Sequence, residues 1–154
     1  MTDRATIITK AVADECGLSL QQINLITHQR QFARPRQIAM TLQREIMGER
    51  SSGSLPAIAQ RFAGSRWNGR MHHTSVLWAT KRVKDLRAKD AGFDAVYRRC
   101  EQRAMCALLE AGVREAELMA KAKALQERER RVTEYFDEPI TRVRPQVSSG
   151  RSAA

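Results

Sequence analysis

Residues 72–83 of the chain read HHTSVLWATKRV, and they have the pattern of an amphipathic helix. Small or apolar side chains recur at helical spacing through this stretch and one turn beyond it, at Val76, Ala79, Thr80, Val83 and Leu86. The other side opens with two histidines followed by Thr74 and Ser75. Hydroxyl side chains in a first turn suit contact with base edges, because they can donate to or accept from several bases. The stretch therefore predicts a helix that packs on a core with one face and reads DNA with its first turn.

The sequence blocks around this helix occur in the order typical of one protein family. They are ARPRQIAM at 33–40, SLP at 54–56 followed by Ile58, Phe62 and Gly64, and HTSVL at 73–77 followed by Lys81, Arg82 and Val83. From residue 6 to residue 103 the chain resembles the C-terminal DNA-binding domain of the bacterial replication initiator DnaA. The resemblance implies an all-α domain whose helix-turn-helix binds a short asymmetric duplex box. Because the sequence has no phosphate-binding loop, we expect a stand-alone protein without the initiator's ATPase module.

The resemblance also implies which side chains approach the DNA backbone and the minor groove. The family's arginine and glutamine that contact phosphates match Arg36 and Gln37, and a basic residue near the backbone matches Arg44. The arginine that enters the minor groove aligns with His28. Because neutral histidine is not a permanent cation, either Arg30 takes that role or the minor-groove contact is weaker, and we expect Arg30 in preference to His28.

The resemblance assigns the major-groove contacts to His73, Thr74 and Ser75, while His72 replaces the acidic residue that usually opens the helix. The preceding turn is about six residues longer than in the family, an insertion that surface loops tolerate. Its Arg66, Trp67 and Arg70 could extend the DNA footprint, or the loop could be solvated with Trp67 against the domain. Trp78 is interpreted as a packed or half-exposed aromatic.

Basic residues are concentrated around the predicted reading helix. The chain has a net charge of +10, and the segment between Thr27 and Asp90 alone contains 13 basic and 4 acidic residues. This distribution is typical of a nucleic-acid binder, although a solvated basic surface would give the same charge. The predicted DNA-binding residues are His28, Arg30, Arg34, Arg36, Gln37, Arg44, Arg66, Arg70, His72, His73, Thr74, Ser75, Lys81 and Arg82.

Local signals place the other helices of the domain. The first has an apolar face and stops at Gly17, and the second opens with a capping box formed by Ser19 and Gln22. The buried side of that second helix is predicted to contain Leu20, Ile23 and Ile26. Pro35 suits the first turn of a third helix that ends at about Gly48, and Ser54-Leu55-Pro56 opens the fourth.

A long helix is predicted after residue 92. Its small and apolar residues recur every seven positions, at Tyr97, Ala104, Ala111, Leu118, Leu125 and Val132. Basic residues interrupt the companion heptad position, at Arg114, Lys121 and Arg128, so the helix could self-associate, dock a replication protein or project freely. We therefore predict a compact DNA-binding domain at 1–92, a helical extension at 93–136 and a disordered tail at 137–154.

Several functional classes find no support in the sequence. No run approaches the roughly 20 apolar residues of a membrane span, and no secretory signal is recognised, so a cytoplasmic, nucleoid-associated location is expected. Cys16, Cys100 and Cys106 form no C-x-x-C pair and are interpreted as reduced thiols. No catalytic cluster is recognised, and no further ligand accompanies the adjacent histidines, so we expect neither an enzyme nor a metal or cofactor. Sequence-specific binding of double-stranded DNA is the first hypothesis, and a protein-interaction adaptor acting through the C-terminal helix is the alternative.

Overall fold

The computed structural model describes residues 3–64 and 69–137, and the fold of these residues is all-α, as predicted. The helices are α1 (Arg4–Glu15), α2 (Leu20–Ile23), α3 (Arg30–Met47), α4 (Leu55–Ala59), α5 (His73–Lys89) and α6 (Ala91–Asp137), with a 3₁₀ turn at Ser51–Gly53. The predicted contact residue Arg66, its neighbour Trp67 and residues 138–154 of the predicted tail lie outside the described residues.

Local sequence signals set the boundary between α1 and α2 as predicted. Gly17 has a φ of 68°, which only glycine adopts without steric cost, and it follows directly on the last turn of α1. The capping box is confirmed: the Ser19 hydroxyl accepts the Gln22 N–H at 3.1 Å, and the Gln22 side chain accepts the Ser19 N–H at 2.8 Å. However, α2 ends at Ile23, and the prediction that Ile26 is buried is wrong, because 58% of its surface is exposed.

Helix α3 is longer than predicted. It begins at Arg30, so Pro35 lies in its second turn rather than in the first. The core face of α3 contains Ile38, Ala39 and Leu42, which are fully buried or nearly so. Gly48 ends the helix with a φ of 81°. The earlier start brings Arg36 one turn further into the helix, which matters for the candidate site.

The chain divides into two compact units, Met1–Val113 and Arg114–Ala154. The core of the first unit draws side chains from every helix that the unit contains, including Ile8, Val12, Ile23, Ile38, Leu42, Ile58, Val76, Val83, Phe93, Tyr97, Cys100 and Ala104. The last four of these belong to α6 and follow one another at helical spacing. The unit therefore continues past the boundary expected at residue 92, because the first turns of α6 supply part of its core.

Polar contacts strengthen this attachment of α6 within the first unit. The Tyr97 hydroxyl donates a hydrogen bond to the Glu45 carboxylate of α3, and the Arg87 guanidinium lies 4.0 Å from the centre of the Tyr97 ring. Burial, together with the bond to Glu45, raises the pKa of Tyr97 well above its usual value. Glu15 at the end of α1 accepts bonds from Arg99 at 2.9 Å and Arg103 at 3.1 Å, and these bonds lower the pKa of Glu15.

The second unit contains the remaining part of α6. Among its described residues, large apolar side chains are exposed at Leu118, Met119 and Leu125. Glu127 accepts bonds from Arg130 at 3.1 Å and from Arg131 at 3.2 Å within the helix. Within the described ranges, no helix is both long enough and apolar enough to span a membrane.

Candidate DNA-binding surface

The first turn of α5 is organised by His72. This residue occupies the N-cap position with extended backbone angles, and its Nδ1 accepts the Thr74 N–H at 3.3 Å. The Thr74 hydroxyl lies 2.7 Å from the same ring nitrogen, and the Ser75 N–H donates to the His72 carbonyl at 3.0 Å. An imidazole thus satisfies a free N–H of the first turn, a task that Ser, Thr, Asp or Asn usually performs. His72 is a capping residue, and Thr74 is not.

The two faces of α5 differ as the sequence predicts. Val76, Ala79 and Val83 are buried in the core of the first unit. The predicted reading residues His73, Thr74 and Ser75 are exposed, and so are Lys81 and Arg82 further along the helix. Helix α5 also packs directly against α3 and α4, so its orientation is set by the core and not by the exposed residues. The exposed first turn is therefore presented on a fixed support.

The enlarged turn between α4 and α5 is closed at its base. Ala63 and Arg70 form an isolated antiparallel bridge, the Gly64 N–H donates to the Gly69 carbonyl at 3.0 Å, and the Met71 N–H donates to the Phe62 carbonyl at 3.2 Å. A Cβ atom on Gly64 would lie 2.4 Å from the Arg70 carbonyl oxygen, so only glycine allows this approach. The bridge preserves the junction between the helices despite the insertion, and it leaves the predicted contact residue Arg70 exposed beside that junction.

The loop between α2 and α3 carries the candidate minor-groove residues. His28 lies in this loop, Arg30 is the first residue of α3, and both are exposed. Arg36, in the second turn of α3, is only 8% exposed. Its guanidinium donates to the carbonyls of Thr27, at 2.7 Å, and of Leu25. Burial lowers the pKa of this group.

Through these two bonds Arg36 holds the loop in place. The phosphate contact that the family resemblance implies for Arg36 stays a prediction. From the second turn of α3, the guanidinium reaches back to the carbonyls of Leu25 and Thr27. The other predicted DNA contacts on α3 are partly exposed. Arg34 is half-buried with its guanidinium 5.9 Å from the centre of the Phe93 ring, Gln37 is half-buried, and Arg44 pairs with Glu49 at 2.9 Å.

Sequence reasoning missed a buried polar network that supports the helix-turn-helix. Gln43 is completely buried and donates to the Thr9 hydroxyl at 2.9 Å, and the Arg61 side chain donates to the Gln43 side chain at 3.4 Å and to the Ser52 carbonyl at 2.7 Å. The sequence feature that could have indicated its burial is that Gln43 directly follows Leu42 on a helix with a broad apolar face. Trp78, interpreted from the sequence as packed or half-exposed, has 60% of its surface exposed on α5.

The described residues offer no cluster of three or more His, Cys, Asp or Glu side chains that could hold a metal ion. Cys100 is buried, Cys16 is half-buried beside the core and Cys106 is exposed. A hydrogen bond with the Cys16 thiol, together with burial, raises the pKa of Cys100.

Comparisons with known proteins connect the chain to one family. The chain is similar to chromosomal replication initiator proteins DnaA from Methylobacillus flagellatus (39% identity over 83 residues), Zymomonas mobilis (36% over 88) and Laribacter hongkongensis (35% over 95). These matches cover 54%, 57% and 62% of this chain, which spans 16%, 16% and 18% of the respective relatives. No solved structure shows a significant match. Residues 5–83 match the family described as the bacterial DnaA protein helix-turn-helix, which supports DNA binding, and the chain therefore belongs to that family.

Proposed function

We propose that this protein binds double-stranded DNA in a sequence-specific manner at a site resembling a DnaA box, and thereby modulates replication initiation or transcription. The observation that carries the proposal is the first turn of α5, where His73, Thr74 and Ser75 are exposed on a helix whose other face is buried. In helix-turn-helix proteins such a turn enters the major groove and contacts base edges.

The charged side chains around this turn suit the DNA backbone. Lys81 and Arg82 are exposed on α5, and Arg70 is exposed at the base of the enlarged turn. Such cations neutralise phosphates and release counterions, so they position the protein without reading sequence. With about five engaged phosphates, the slope of log K against log salt concentration is expected to lie near −4 to −5.

The loop between α2 and α3 is the second proposed contact. His28 and Arg30 are exposed there, and Arg36 fixes the loop through its two carbonyl partners. A cation at this position suits the minor groove, whose negative potential is strongest where the groove is narrow. Arg30 is therefore the proposed minor-groove residue.

The test is a binding-site selection from random duplex DNA, followed by measurement of affinity for the selected site and for its scrambled form over a range of salt. We expect a DnaA-box-like consensus and a tighter complex with the selected site. Equal affinity for both duplexes would overturn sequence-specific binding, and a salt slope near zero would overturn the electrostatic part of the proposal.

A second candidate function is protein interaction through α6, either with another copy of the chain or with a replication protein. The exposed apolar side chains Leu118, Met119 and Leu125 favour it. Ending the chain after Val113 distinguishes the two candidates. DNA binding should persist in the shortened protein, whereas an adaptor function would be lost.

A further inference from the structure

An exposed tryptophan lies on the same face of α5 as the proposed reading turn. Trp78 follows Thr74 by four residues and precedes Lys81 by three, and side chains at these spacings are neighbours on a helix surface. Its exposed fraction is 60%, and that of the adjacent Leu77 is 37%. The ring is therefore not part of the core, which α5 reaches through Val76, Ala79 and Val83.

Within the described residues, no aromatic ring or cation stacks on the Trp78 ring. The ring and cation contacts found there join His72 to His73, Arg34 to Phe93 and Arg87 to Tyr97, and none involves Trp78. Exposed tryptophan is costly to hydrate, and its neighbours here are a hydroxyl residue and a cation that suit DNA. The surroundings therefore favour DNA as the partner of the ring.

The major groove offers matching chemistry for an indole. Thymine presents a methyl group and an acceptor oxygen there, and apolar side chains pack against the methyl group. An indole has a broad apolar surface and one N–H donor. Four residues of helix advance about 6 Å along the axis, which is close to two base-pair steps. A residue at position 78 would thus reach a base pair inside the same short site as Thr74.

We propose that Trp78 is a specificity-determining residue whose indole packs against a thymine methyl group, about two base pairs from the pair that Thr74 contacts. The inference rests on the proposed sequence-specific binding. It assigns the preference for one thymine of the site to a residue outside the first turn.

The test replaces each thymine of the selected site in turn by deoxyuridine, which lacks only the methyl group. Burying one methyl group corresponds to about a fourfold change in affinity, so the wild-type protein should lose about fourfold at the thymine that Trp78 contacts. Trp78→Ala should lose affinity for the unmodified site and become insensitive to deoxyuridine at that one position. Trp78→Phe, which keeps an apolar ring, should keep most of this sensitivity.

Thr74→Ala is the matched control on the same helix face. Thr74→Ala should leave the effect of deoxyuridine at the Trp78-dependent thymine intact. It should change the base preference at a different position of the site. If Trp78→Ala and the wild-type protein respond alike at every thymine, the role of Trp78 is refuted while sequence-specific binding stands. If the selection returns no preferred site, the proposed function itself fails.

A fluorescence measurement tests the same contact independently. In a Trp67→Phe background, Trp78 is the remaining tryptophan of the chain. Adding the selected duplex should quench and shift its emission, because the ring leaves water for the groove. Unchanged emission on saturation with the duplex would overturn the inference, even if Trp78→Ala weakened binding.

Discussion

Replacing Arg36 by Met distinguishes a residue that holds the α2–α3 loop from one that contacts DNA phosphate. The substitution keeps a long side chain and removes the guanidinium that donates to Leu25 and Thr27. Hydrogen bonds to charged groups contribute roughly 1.5–3 kcal/mol each, and the burial cost of the charge offsets part of this gain. We expect a loss of about 2 kcal/mol of unfolding free energy, which corresponds to roughly 8 °C in Tm.

Arg36→Met should weaken DNA binding mainly because the loop no longer holds Arg30 in position. If Arg36 positions the loop, Arg36→Met removes most of the contribution of Arg30, and adding Arg30→Ala should weaken binding little further. Such non-additivity is expected of two residues in one structural unit. The assays are urea unfolding and fluorescence anisotropy with the selected duplex, for both single variants and the double variant.

Arg82→Met is the matched control, because Arg82 is exposed on α5. It should weaken binding to any duplex and leave the unfolding free energy unchanged. If Arg36→Met behaved in the same way, with unchanged stability and a loss that adds fully to that of Arg30→Ala, the guanidinium would be a phosphate contact and the positioning argument would be refuted.

Four other predictions follow from the site and its support. Thr74→Ala should weaken binding to the selected site by about 1–3 kcal/mol and barely change binding to random DNA. An unchanged ratio of the affinities for these two duplexes would contradict base reading by Thr74. Gly64→Ala should cost about 1–3 kcal/mol of stability, because the added Cβ overlaps a backbone carbonyl, and thermal unfolding measures this. A chain ending after Val113 should fold. One ending after Gly92 should not, because the shorter chain lacks the core residues Phe93 and Tyr97, and burial of each such aromatic side chain contributes about 3–5 kcal/mol. Circular dichroism distinguishes the folded chain from the unfolded one. Glu15→Gln should destabilise the protein by about 0.5 kcal/mol at pH 7, because the ionised carboxylate accepts bonds from two arginines. The difference should shrink as the pH falls below about 4 and vanish once the pH lies below the lowered pKa of this carboxyl, and urea unfolding over this pH range measures it.

The elements that the sequence predicted correctly depend on neighbours a few residues apart. The capping box of Ser19 and Gln22 joins residues three positions apart, and the buried face containing Val76 and Val83 follows from helical periodicity. The glycine at position 48 ends α3 by its own conformational freedom. Each feature is contained within one or two helical turns, so the order of residues is enough to specify it.

The candidate site was predictable to the same extent. Exposure of His73, Thr74 and Ser75 follows from the periodicity of α5, whose opposite face must be buried. The capping role of His72 did not follow, because it depends on the direction of an imidazole ring toward the Thr74 N–H.

By itself, the sequence determined the helical class, the positions of the helix ends that carry capping signals, and which face of α5 is exposed. Tertiary structure alone decided that Arg36 turns inward, that Gly64 closes the enlarged turn against Arg70, and that Phe93 and Tyr97 belong to the core of the domain. The reason is physical: these outcomes depend on groups brought together from separate helices or across a loop. Their energies arise from packing and burial, which a periodic pattern cannot assign to particular partners.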